Sequence, residues 1–100
     1  MLRKLWRCRY ATNTNDKRYQ ISFWSNENGE PIHVHVSKQR PSQSGTKLWL
    51  LSNMTFVMAN PKDHRIPKKD LNKIIRTLNS MAWVVRDEWV KFHGYAKYYK

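Results

Sequence analysis

The sequence predicts an α+β fold: one antiparallel sheet of four to five strands packed by a long C-terminal helix. Three observations lead there. Between residues 4 and 59, apolar and polar residues alternate in short runs separated by Gly, Pro, Asn and Ser. From Pro67 the period changes to i, i+3/i+4 and persists to Gly94. A length of 100 residues allows one core and leaves no room for two. The expectation is a single domain over 1–100, with an N-terminal hairpin (2–25), a three-strand segment (32–59), a helix (67–93) and a tail (95–100).

The elements follow in order. In KLWRCRY (4–10), Trp6, Cys8 and Tyr10 share one face and Arg7 and Arg9 the other. ATNTND (11–16) is turn-rich. RYQISFWS (18–25) places Tyr19, Ile21 and Phe23 on one side, so the two runs read as a hairpin. NENGEP is a loop around Gly29 and Pro31. IHVHVS (32–37) follows as a strand with Ile32, Val34 and Val36 inside and His33 and His35 on the opposite face. KLWLLS (47–52) and TFVMA (55–59) form a further antiparallel pair, joined at Asn53-Met54.

In the helical part, Leu71, Ile74, Ile75, Leu78, Ala82, Val85 and Trp89 make the apolar stripe. Pro67 suits the first helical position, Asp70 favours the helix dipole, and Gly94 is a natural stop. Asp87 and Lys91 form an i, i+4 pair. So long a span predicts a bend near Asn79-Ser80. The tail YAKYYK frays or docks by its rings.

Charge is the strongest compositional fact. Nineteen Lys/Arg against seven Asp/Glu give a net charge of +12. Self-repulsion on that scale is offset by a polyanion, and DNA or RNA is the commonest. An acidic partner protein from a neighbouring gene is the second option. No segment reads as a membrane span or a secretory core. The lone Cys8 excludes an internal disulfide and a Cys-rich zinc motif, reads as a small core filler, and fits a cytoplasmic location.

The stretch ISFWSNENGEPIHVHVSK, with KLWL and the helix RIPKKDLNKIIRTLNSMAWVVRDEWVKFHG, resembles the bacterial family called domain of unknown function 4160. The Pro-bearing loop before His-Val-His-Val is its specific part. The resemblance implies a component of a toxin–antitoxin-like or regulatory module, often encoded beside a second small protein, without an established activity. It carries over Ser25, Asn26, Glu27, Pro31, His33 and His35. The more basic N-terminal hairpin and the YAKYYK tail depart from the family pattern.

Candidate chemistry falls into three groups. His33 and His35 lie about 6.6 Å apart along a strand and point the same way. With Glu27 orienting one ring they form a candidate catalytic acid–base pair, as in a metal-independent ribonuclease with Lys38 or Arg40 at the scissile phosphate. A polar sheet face bonded to the preceding loop is the structural alternative. Metal ranks last because the ligand set is incomplete in the sequence, so neither metal nor cofactor is expected. The second group is a nucleic-acid surface: Arg7, Arg9, Lys38, Arg40, Lys47, Lys69, Lys73 and Arg76, the last three on one helical face. No helix-turn-helix, zinc-finger or RNA-recognition signature accompanies it. The third is Trp24 and Trp49, placed on the histidine face if the strand registers agree. There they stack on unpaired bases, contact an acidic partner, or are covered by a second subunit in a homodimer.

Overall fold

The computed structural model describes residues 4–11 and 18–100, with backbone alone at 9–11 and 18. The strands are β1 (Leu5–Ala11), β2 (Arg18–Trp24), β3 (His33–Lys38), β4 (Thr46–Leu50) and β5 (Phe56–Met58). They pair antiparallel in the sheet order β1-β2-β3-β4-β5, a meander in which every connection is local. The helices are α1 (Lys68–Ser80) and α2 (Ala82–His93). The α+β architecture expected from periodicity is the one observed. The loop expected after β1 (residues 12–16), Arg3 and the side chain of Arg9 lie outside the described residues.

Alternation sorts the sheet into two faces. Register partners Ile21↔Val36 and Val34↔Leu48 put the β-branched and leucine side chains on one face. That face meets Leu71, Ile74, Leu78, Ala82, Val85 and Trp89 in a single buried cluster. Only Ile75 of the predicted stripe stays partly exposed. Cys8 packs at the margin of the cluster, as a small filler should. Tyr19 pins α1 to the sheet: its hydroxyl donates to Asp70 Oδ2 at 2.6 Å in a buried setting. Burial and the neighbouring carboxylate raise the Tyr19 pKa, so the phenol stays a donor.

The long helix is interrupted at Met81, one residue past the expected Asn79-Ser80 bend, where the backbone leaves helical geometry (φ −118°, ψ 21°). Asn79 marks the spot by accepting the Phe56 amide at 2.8 Å, tying the break to β5. Two local expectations shift. Pro67 is the N-cap rather than the first helical residue, and its carbonyl accepts from Leu71. Asp70 lies in the first turn of α1 as expected, and its carboxylate also turns inward to Tyr19. Lys91 pairs with Glu88 and Asp87 with Arg86, in place of the i, i+4 pair. Gly94 ends α2 as expected, in the left-handed conformation (φ 82°) that glycine adopts without strain.

The tail docks. Ile32 donates to Lys97 O, Tyr99 to Leu50 O, and Ser52 to Lys100 O. Tyr99 stacks on Trp49 with ring centroids 5.1 Å apart and planes 6° from parallel.

Candidate functional site

The registers agree in the way the histidine face requires. His33 pairs with Trp49 and Ser22 with His35, so Trp24, Ser22, His33, His35 and Trp49 all lie opposite the helix-packed face. That face is not wet here. His33 is 0% and His35 4% exposed, and Trp24, Ser22 and Gln20 are buried beside them. Rings close the site from several sides. Trp49 lies 5.5 Å and Trp89 5.1 Å from His33 between centroids, and Trp24 stands edge-on to His35 at 5.8 Å.

Glu27 completes the group. It sits in the loop between β2 and β3, and its chain is turned inward. Oε1 accepts the Trp24 amide at 2.8 Å, closing a tight turn. Oε2 meets both imidazoles, at 2.8 Å from His33 Nε2 and 2.5 Å from His35 Nε2. His33 Nδ1 donates to the Pro31 carbonyl at 2.9 Å, at the end of the loop just ahead of the strand. With that proton committed, His33 can also donate from Nε2 to Glu27 only as a doubly protonated ring. Burial opposes ionisation of Glu27, yet the bonds from His33, His35 and the Trp24 amide outweigh it, and its pKa is lowered.

The loop is held from the other side by α2 and the tail. The Tyr95 hydroxyl donates to Glu30 O at 2.6 Å and accepts from the Gly29 amide at 2.9 Å. His93 Nε2 approaches the Trp24 carbonyl at 3.1 Å. Glu30 takes Lys47 Nζ at 2.6 Å. Lys47 also lies over the Trp49 ring, 4.0 Å from its centroid, so this cation is engaged locally.

Of the other expected cations, Arg7 shares the histidine face, two strands from His35 through Ser22, and the rest lie elsewhere. Lys38, Arg40, Lys69 and Arg76 are exposed, Lys73 is partly so, and Arg7 projects from β1. At the far end of β3, a pocket of about 290 Å³ is lined by Ser37, Lys38, Ser42, Ser44 and Arg65 over a floor of Val36, Gly45 and Ile66. Arg65 is braced there, giving Nη2 to Asp63 at 2.7 Å and Nη1 to Ser44 O at 2.5 Å. The Arg65 bonds hold the Asp63 carboxyl below the usual range. The structure therefore brings Glu27, His33 and His35 together but sets them apart from the cations of the β3–β4 loop. It buries Trp24 and covers Trp49, which removes them as open stacking platforms. Sequence reasoning passed over Trp83, 62% exposed, and named Tyr95 only as part of the tail, without its role at the loop. The first was hidden by lying one residue off the apolar stripe; the second lies beyond the helix, where no period applies.

Fold and site together define a class: a five-strand meander backed by two helices, with an imidazole–carboxylate–imidazole cluster sealed under aromatic rings. The sequence profile of the family described as Domain of unknown function (DUF4160) matches residues 19–89, and the chain belongs to that family. The matched span contains the whole cluster and Trp89, and stops short of Tyr95 and the docked tail. No curated protein and no solved structure matches the chain.

Proposed function

We propose that this is a small cytoplasmic protein that binds DNA or RNA through the phosphate backbone, as a component of a bacterial toxin–antitoxin-like or regulatory module. One observation carries the reading. Lys38, Arg40, Lys68, Lys69 and Arg76 are exposed, and none is in an ion pair among the described residues. Lys38 borders a serine-lined pocket whose hydroxyls and cation suit a phosphate group. Charge without a base-reading device favours contacts that position a backbone over contacts that read sequence.

The ribonuclease reading gains no support from the geometry. His33 and His35 present no solvent-facing edge to an RNA strand, and the cations of the β3–β4 loop do not adjoin them. An acidic protein would meet the same exposed cations. The test is fluorescence anisotropy with labelled duplex DNA and single-stranded RNA across a salt series. Binding should weaken linearly in log–log form, with a slope of about −0.9 per duplex phosphate neutralised. A Lys38→Glu/Arg40→Glu variant should bind less tightly and with a shallower slope. Absence of binding to either nucleic acid at low salt refutes the proposal.

A further inference from the structure

The geometry points to a binding site for one divalent transition-metal ion, of zinc type, formed by Glu27 Oε2, His33 Nε2 and His35 Nε2. The inference is independent of nucleic-acid binding and stands on four observations. The donor atoms of these residues all lie within 4.8 Å of one another. Two imidazole nitrogens and one carboxylate oxygen are a donor set that zinc and its first-row neighbours take, with a further position left for water. Each donor residue is also at least nine-tenths buried, and the rings of Trp24, Trp49 and Trp89 wall the group.

The outer contacts of His33 and Glu27 are those of ligands held for a metal. His33 gives Nδ1–H to Pro31 O, which leaves the Nε2 lone pair aimed at the centre. Glu27 is fixed through Oε1 by the Trp24 amide, leaving Oε2 for the ion. His35 Nδ1 is buried and has no hydrogen-bond partner. Ser22, its register partner on β2, has a buried hydroxyl in the same condition. A metal on Nε2 would fix the His35 proton on Nδ1.

Without a metal, a bridging proton must separate the His33 and Glu27 lone pairs. An ion replaces it: the neutral tautomers of both rings and the Glu27 carboxylate bind M²⁺, and one proton leaves. Tetrahedral zinc at about 2.0–2.1 Å from each donor sets the donors about 3.3 Å apart. The Glu27 Oε2 contacts, 2.8 and 2.5 Å, are shorter than that, so taking up an ion requires Oε2 to withdraw by a fraction of an ångström. The ion would then staple the loop to β3.

The test uses the full chain, stripped with chelator and confirmed folded by circular dichroism. Zn²⁺ is titrated in competition with a chromogenic indicator, and Co²⁺ in parallel. The expected result is one equivalent bound, with cobalt d–d bands that lack a thiolate charge-transfer band. Outer-shell losses typically cost 10–100-fold in affinity, so losing a ligand in His35→Gln or Glu27→Gln should weaken binding by more than about 100-fold. The exposed His64→Gln should leave it unchanged. Should the ligand variants fail to fold, ¹⁵N chemical shifts of the His33 and His35 rings on adding Zn²⁺ decide, moving Nε2 of both if the site is real. Unchanged ring shifts, no stoichiometric binding, or binding lost in His64→Gln overturns the inference.

Discussion

The two ends of β3 hold similar polar residues in opposite circumstances. At its start, His33 and His35 are sealed with Glu27, and both Glu27 oxygens, both His33 nitrogens and His35 Nε2 have protein partners. At its far end, Lys38 and Arg40 stand in solvent around an open pocket. Burial makes the first set depend on its internal geometry, because a group stripped of one partner has no water to replace it. Exposure makes the second set nearly neutral for folding and free to meet a ligand. A polar residue's role here follows from where the fold puts it more than from its chemistry.

Perturbing the two ends should separate stability from binding. The largest effect belongs to Glu27→Ala, measured with chelator present. It leaves two buried imidazoles without their shared acceptor, and equilibrium urea unfolding should show a loss of about 3–5 kcal/mol. Tyr19→Phe removes the buried hydroxyl on Asp70 and should cost about 1.5–3 kcal/mol by the same measurement. Gly45 lies beneath the pocket, where an added Cβ would stand 2.7 Å from the Val36 carbonyl oxygen. Gly45→Ala must push β4 from β3 there, at about 1–3 kcal/mol, read as a lowered Tm.

Acid provides a graded version of the Glu27 deletion. Its folded pKa is lowered, so its contribution is present above the ordinary value of 4.5 and is lost as pH falls below that toward the folded value. Unfolding free energy should therefore decline from pH 5 to pH 3. Asp63 shifts in the same direction, so the Glu27 share is the difference between the wild-type slope and a flatter Glu27→Gln slope. An identical slope in both proteins would show that Glu27 is not held as described. The smallest stability effect is expected from Lys38→Glu/Arg40→Glu, within about 0.5 kcal/mol of wild type. A large loss there would erase the contrast between the two ends.

Much of the fold was legible because periodicity is a local property. The period-two runs located all the strands, the 3.6-residue stripe located the helix, and the stripe members Leu71, Ile74, Leu78, Ala82, Val85 and Trp89 are buried. The site was half legible. Alternation put His33 and His35 on one face, and the loop residue Glu27 was a candidate partner. What sequence could not show was that Glu27 folds inward to reach both rings at once. Nor could it show that Lys47, counted among the free cations, spends itself on Glu30 and Trp49.

By itself, then, the sequence determined the element order, the two faces of the sheet, the helix stop at Gly94 and an excess of positive charge. Each rests on neighbours in the chain: alternation, i+4 spacing, glycine's tolerance of positive φ, or a simple sum. Only the tertiary structure decided that the histidine face is dry. That required Trp89 from α2 and Tyr99 from the tail to meet rings at Trp49 and His33, residues far apart in sequence. Desolvation is a property of what surrounds a group in space. The same His-Val-His could have been a wet catalytic edge, and the packing of distant aromatic rings made it a closed cluster.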